Sequence, residues 1–221
     1  MKKYSLLLFF FLIVCTSLLF SQNSYEFDQP VPPESEVVQT VSNNHFGFYV
    51  HEGNSNLKYE FNSEGIFIHT LNIQMISRET IRESSQYSVV DNELYGVTSK
   101  PIPCILEGEN YYFGFPTVVQ VSGTDVSNRL IKLDENTYFL NFKTEYGYVP
   151  SKLTFVGNNQ LFISELQYDN ELNEFKQIKE QQKIEPLQDG LTTTILIPTK
   201  KEWEKLNKKN LFGSSQLLKR Q

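Results

Sequence analysis

From His45 onward the chain is a succession of short aromatic and β-branched runs, cut at close intervals by turn signals. "FGFYV", "LKYEF", "IFIHTLNI", "YYFGF", "TYFLNF", "KLTF" and "LFISELQY" are such runs. Between them stand "NSEG" (62–65), "DNE" (91–93), "EGEN" (107–110), "DEN" (134–136), "GNNQ" (157–160) and "DNELNE" (169–174). Runs this short do not sustain long helices, and turns this close together join neighbouring strands as hairpins. The pattern predicts an all-β, antiparallel domain over 45–198. With about ten strands it is an up-and-down barrel or a two-sheet sandwich. The uninterrupted series of adjacent hairpins favours the barrel.

The flanks have other periods. Residues 22–44 are a polar, proline-marked lead in which Pro33, Glu34 and Glu36 suit the first turn of a short helix. After Pro198, Thr199 and Glu202 have the spacing of a capping box, and Trp203, Leu206 and Leu211 follow at helical intervals. A C-terminal helix is predicted over 199–212, with Trp203 docked on the sheet, and 213–221 is expected to fray.

The N-terminus reads as a secretory signal peptide over 1–21: Lys2 and Lys3, then the apolar run "LLLFFFLIV", then small and polar residues up to Ser21. The apolar run is too short, and too interrupted at Cys15-Thr16-Ser17, to span a bilayer. Val14 before Cys15 is a poor match to a lipidation site, so anchoring there is not expected. The protein is expected to be exported, to the periplasm or the medium. The absence of alanine and the richness in Lys, Asn, Ile, Phe and Tyr fit AT-biased bacterial coding, hence a bacterial envelope or exported protein.

Loss of Lys2 and Lys3 with the leader takes the formal charge from −6 to −8. An acidic chain with four arginines and no basic run is not expected to bind nucleic acid. After cleavage only Cys104 remains, so no internal disulfide forms; in "PIPCILEG" it reads as a small buried hydrophobe.

Catalytic and cofactor signatures are missing. The glycines are scattered through turns, not gathered in a phosphate loop, and no cofactor is expected. The carboxylate pairs Glu107/Glu109 and Asp134/Glu135 fall in turns and read as turn residues. If Phe46, Phe48 and Val50 face Tyr59 and Phe61, then His51, Lys58 and His69 share the opposite face, and the ammonium between the histidines disfavours a metal.

One stretch draws attention as a site: "SRETIRESSQYS", 77–88, which holds Arg78 and Arg82. A long helix there is disfavoured by like charges four apart, leaving one turn capped by Ser77 or a charged strand end. Just before it, the bulky residues change parity: Ile66 and Ile68 are even, Leu71, Ile73 and Met75 odd. This points to a bulge or a change of sheet near His69-Thr70. Arg78 and Arg82, if turned into a barrel lumen, would clamp an anionic headgroup.

These features lead to a non-enzymatic binding protein, with Arg78 and Arg82 as headgroup contacts for a small apolar or amphipathic ligand. The alternative is a structural or protein-interaction module of the cell envelope, marked by an exposed apolar patch or a free strand edge. A carboxylate-dependent hydrolase is the weaker third reading.

Overall fold

A computed structural model describes residues 24–51, 53–167, 175–184, 192–209 and 211–221. The expected signal peptide, Cys15 and the turn at 169–174 lie outside the described residues. In chain order the strands are β1 (Ser24–Phe27), β2 (Val37–Val38), β3 (Gly47–His51), β4 (Asn54–Asn62) and β5 (Gly65–Ser77). A six-residue helix, α1 (Arg78–Glu83), follows. Next come β6 (Ser88–Val90), β7 (Glu93–Tyr95), β8 (Ile102–Glu107), β9 (Asn110–Ser122) and β10 (Arg129–Lys132). β11 (Thr137–Lys143), β12 (Tyr148–Val156), β13 (Gln160–Leu166), β14 (Gln181–Ile184) and β15 (Thr193–Leu196) lead to α2 (Lys200–Asn207) and β16 (Phe212–Arg220).

The all-β, antiparallel class is the one expected, with the C-terminal helix in place; β1 beside β15 is a parallel pair. The described residues divide into two compact units. Of the described residues, the first holds 24–38, 127–154, 163–167, 175–184, 192–209 and 211–215; the second holds 39–51, 53–126, 155–162 and 216–221. Within the first, the strands run β14-β15-β1-β12-β13-β16, and β11, β10 and β2 branch from β12. Within the second they run β16-β3-β4-β5-β9-β8-β7-β6. Neither order returns to its first strand, so neither unit closes as a barrel.

The first unit is built around aromatic edges. The Trp203 ring meets Phe27 and Phe139 edge-on, each at 5.5 Å between centroids, and is 2% exposed. α2 can dock this way because its start is fixed: Glu202 N–H donates to Thr199 Oγ1, and Thr199 N–H donates to Glu202 Oε2. Asn141, fully buried, ties the lead to the sheet: its Oδ1 accepts from Val31 N–H and its Nδ2 donates to the Val31 carbonyl, both at 2.9 Å.

In the second unit Tyr49, Phe61 and Phe155 meet edge to face at 5.4–5.7 Å. This triad sets the β3 register one residue away from that predicted: Gly47 faces Phe61 and Tyr49 faces Tyr59. Phe48 is thereby turned outward, 41% exposed. Apolar residues at both parities in "FGFYV" made the choice ambiguous, and Gly47 is compatible with the register observed. A Cβ there would sit 2.8 Å from Nε of Arg220, whose guanidinium donates to the carbonyls of Phe46, Asn44 and Asn158.

Two flanking expectations are corrected. The lead forms no helix at Pro33–Thr40: β-branched Val37 and Val38 pair with Ile131 and Leu130 of β10. The tail does not fray, because β16 occupies Phe212–Arg220 and buries Leu218 completely.

Replacing Asn141 by leucine leaves the Val31 N–H and C=O without partners, and is expected to lower unfolding free energy by about 2–4 kcal/mol. Urea denaturation checks this; a loss below about 1 kcal/mol would show that the contact is dispensable. The backbone N–H of Thr199, and then its hydroxyl, hold the Glu202 carboxyl below its ordinary range. Stability from this lowered value is present above the ordinary carboxylate pKa and lost as pH falls through the folded value. The melting difference between wild type and Glu202→Gln is therefore expected to shrink below about pH 4. A difference that stays constant from about pH 7 to about pH 3 would contradict it.

Candidate functional site

"SRETIRESSQYS" forms neither a strand end nor a long helix but the single capped turn, α1. The Ser77 hydroxyl accepts from Thr80 N–H at 3.0 Å, and the Arg78 N–H donates to the Glu109 carbonyl at 2.9 Å. Ile81 packs against a small cluster formed by Leu94, Ile102, Cys104 and Phe113. With Ile81 inward, Arg78, Glu79, Arg82 and Glu83 all lie exposed. Arg82 and Glu83 approach only to 4.0 Å with side chains 76% and 68% exposed, a pair of little energetic weight. Both arginines border an open cleft of about 530 Å³, where Glu79 and Glu109 balance their charge. They are not turned into a lumen.

The more unusual feature lies just upstream. β5 and β9 pair along nearly their whole lengths, from Ile66 with Ser122 to Ser77 with Asn110. On its other side β5 pairs with β4 only from Gly65 to Thr70, because β4 turns back to β3 at Asn54. Among the described residues, no strand pairs with Leu71–Ser77 on the side away from β9. The segment reads "LNIQMIS": no charge, no proline and strict alternation from Leu71 to Met75. Natural sheet edges are usually guarded by charges, prolines or bulges, and this one has none of them.

The face beside this edge is apolar and bare. Met75 lies opposite Tyr112, and Tyr112 opposite Ile105; Ile73 lies opposite Gly114 and Leu71 opposite Pro116. Residues opposite one another in an antiparallel pair share a face. Leu71 is 40% exposed, Ile73 59%, Met75 64% and Ile105 67%. Gly114 is the low point of this face: a Cβ there would meet Leu71 Cδ1 at 2.8 Å. Beside it a shallow depression of about 420 Å³ is lined by Leu71, Lys100, Pro103, Gly114 and Pro116, among others. On the opposite face the Leu94 cluster, which includes Phe113, packs against Ile76, Tyr111 and Phe115, while Asn72 and Gln74 stay exposed.

The change of parity at Thr70 was thus the signal in the sequence, but its meaning differs from the one expected. The register shift between β5 and β9 falls at Ile66/Phe67, not near Thr70. Leu71, Ile73 and Met75 are bulky because they form an outward face, not because the strand changed its inward one.

The remaining expected positions have plain places. Cys104 is buried in the Leu94 cluster, and burial pushes its thiol up, which leaves it a poor nucleophile. Lys58 lies opposite both Val50 and His69, whereas His51, beyond a register shift, lies opposite Asn54. His69 Nε2 is 2.7 Å from Glu60 Oε2. Glu107 and Glu109 are exposed in the β8–β9 turn, and Glu135 meets Lys132 at 2.6 Å. Among the described residues, no helix is long and apolar enough to cross a membrane.

The chain matches no family model, no curated protein and no solved structure.

Because both guanidiniums lie in solvent, Arg78→Ala with Arg82→Ala is expected to change stability by less than about 0.5 kcal/mol. Ile81→Ala, which removes the helix anchor, is expected to cost about 1 kcal/mol or more. Urea midpoints of the two variants check this, and the reverse order would place the arginines in the packing.

Proposed function

We propose that this chain is a non-enzymatic protein-interaction module of the cell envelope, and that it takes an extended strand of a partner protein onto the free edge of β5. The observation that carries this reading is the unguarded edge Leu71–Ser77 beside a bare apolar face. Backbone N–H and C=O groups along such an edge are a template for strand addition, and alternate side chains supply selectivity. The partner strand would carry apolar residues at every second position, to continue the ladder of Leu71, Ile73 and Met75. Asn72 and Gln74, on the other face, offer amide hydrogen bonds to polar residues between them. Export by the leader at 1–21 would bring the module to the envelope. A ligand carrier is the less favoured reading, since neither unit closes around a lumen that the arginines line.

A photocrosslinking residue in place of Asn72, introduced in the native host, tests the reading. A discrete protein adduct is expected, and it is expected to vanish when Ile73→Lys and Met75→Lys are added. The same crosslinker at exposed Val156 is expected to give no such adduct. No adduct at position 72, or the same adduct at both positions, would sink the proposal. Ile73 and Met75 are mostly exposed, so the double lysine variant keeps the fold, which circular dichroism verifies.

A further inference from the structure

The first unit holds a second surface of different chemistry. A cleft of about 280 Å³ lies between α2 and the segment just before β14. Lys179, Lys201, Lys205 and Lys209 line it, with Thr199 and Gln177. Ile178 and Leu206, both buried, contribute to its wall, which is mostly apolar because the lysine stems add their methylenes. Among the described residues the carboxylate in the lining is Glu202, and it is occupied: Oε2 accepts from the N–H and hydroxyl of Thr199, and Oε1 from the N–H of Lys179. Among the described lining residues, lysines thus outnumber carboxylates, in a chain whose formal charge is −6.

Helix stability alone does not account for this grouping. Lys205 and Lys209 lie near the C-terminal end of α2, where the dipole favours cations. Lys201 lies in the first turn, where the dipole opposes a cation, and no helix-stabilising role explains it. Its spacing of four from Lys205 places both on one side of α2, and Lys209, just past the helix end, also lines the cleft.

We infer that this cleft binds a small amphipathic anion: a phosphate ester or carboxylate whose charged end meets the lysines and whose short apolar group lies against Ile178, Leu206 and the lysine stems. A phosphate monoester and a fatty carboxylate share this chemistry. The volume is at the small end of ligand sites and excludes a long-chain lipid from complete enclosure. The inference is independent of strand docking on β5.

Trp203, between Lys201 and Lys205 in sequence, is turned into the core and does not line the cleft, so binding is read directly by calorimetry. The heat of binding is followed while the full protein is titrated with hexyl phosphate, hexanoate or inorganic phosphate. Saturable binding of hexyl phosphate is expected below about 10 mM, the range a ligand of this size reaches. Inorganic phosphate is expected to bind more weakly, because it leaves the apolar wall uncovered. Lys201→Gln with Lys205→Gln is expected to weaken hexyl phosphate about tenfold, and added salt is expected to weaken it in the wild type. Both lysines are exposed, so the double variant is expected to melt as the wild type does, which confines any loss of binding to the cleft. Failure of hexyl phosphate and hexanoate to saturate, or equal affinity in the double variant, would overturn the site. Inorganic phosphate binding as tightly as hexyl phosphate would overturn its amphipathic character. Preference for hexyl phosphate over hexanoate, or the reverse, assigns the headgroup.

Discussion

A β-strand has two hydrogen-bonding edges, and β5 has a strand on both only from Gly65 to Thr70. Much of the second unit follows from that limit. Where β5 is paired on both sides, Ile66 is fully buried. Beyond Thr70 one edge opens, and residues 71–75 are all exposed. The strand then ends at a side-chain cap, Ser77, and the chain turns into α1. α1 returns Ile81 to the face that β6, β7 and β8 cover, and leaves the other face as it was. β4 cannot extend along the open edge, because it is committed to β3 at Asn54.

Leaving such an edge bare has physical consequences. Seven uncharged residues with alternating apolar side chains and no proline or glycine leave the segment open to pairing with foreign strands. A single lysine at Ile73 or Met75 would guard the edge at little cost to the fold, since both side chains are mostly in water already. Acidic net charge keeps copies of the chain apart at long range but does nothing for a strand that arrives with its own complementary pattern. The end of the segment is marked sharply by Arg78 and Glu79, which limits how far a strand can extend in that direction.

Hairpin boundaries were legible because turn chemistry is local. Asn62 Oδ1 accepts from Glu64 N–H in the β4–β5 turn, and Asp91 and Asn92 take positive φ between β6 and β7. The capping box was legible for the same reason, being set within four residues, and the inward side of α2 followed from the helical spacing of Trp203 and Leu206. Register was not, since β3 carries apolar residues at both parities and only the packing of Tyr49 with Phe61 and Phe155 chooses between them. The tail was misread because Leu218 is held by a strand distant in sequence, β3. The arginines drew attention by their rarity, whereas the bare edge consists of ordinary residues whose significance is what fails to lie beside them. The lysine cleft was hidden by an adequate local explanation, the helix dipole, which covers Lys205 and Lys209 but not Lys201.

The edge and the cleft differ in the forces they use, and ionic strength separates them. Strand addition at Leu71–Ser77 rests on backbone hydrogen bonds and apolar contact between uncharged segments, which salt screens hardly at all. Anion capture by exposed lysines rests on charges that about 0.15 M salt already screens beyond some 8 Å. The cleft therefore needs its apolar wall for any occupancy at physiological salt, because ammonium groups in water hold a bare anion only weakly. By the same reasoning the edge needs no charge for affinity, and its specificity comes from the alternation of Leu71, Asn72, Ile73, Gln74 and Met75, which a strand shifted by one residue would meet with its polar side chains on the apolar face.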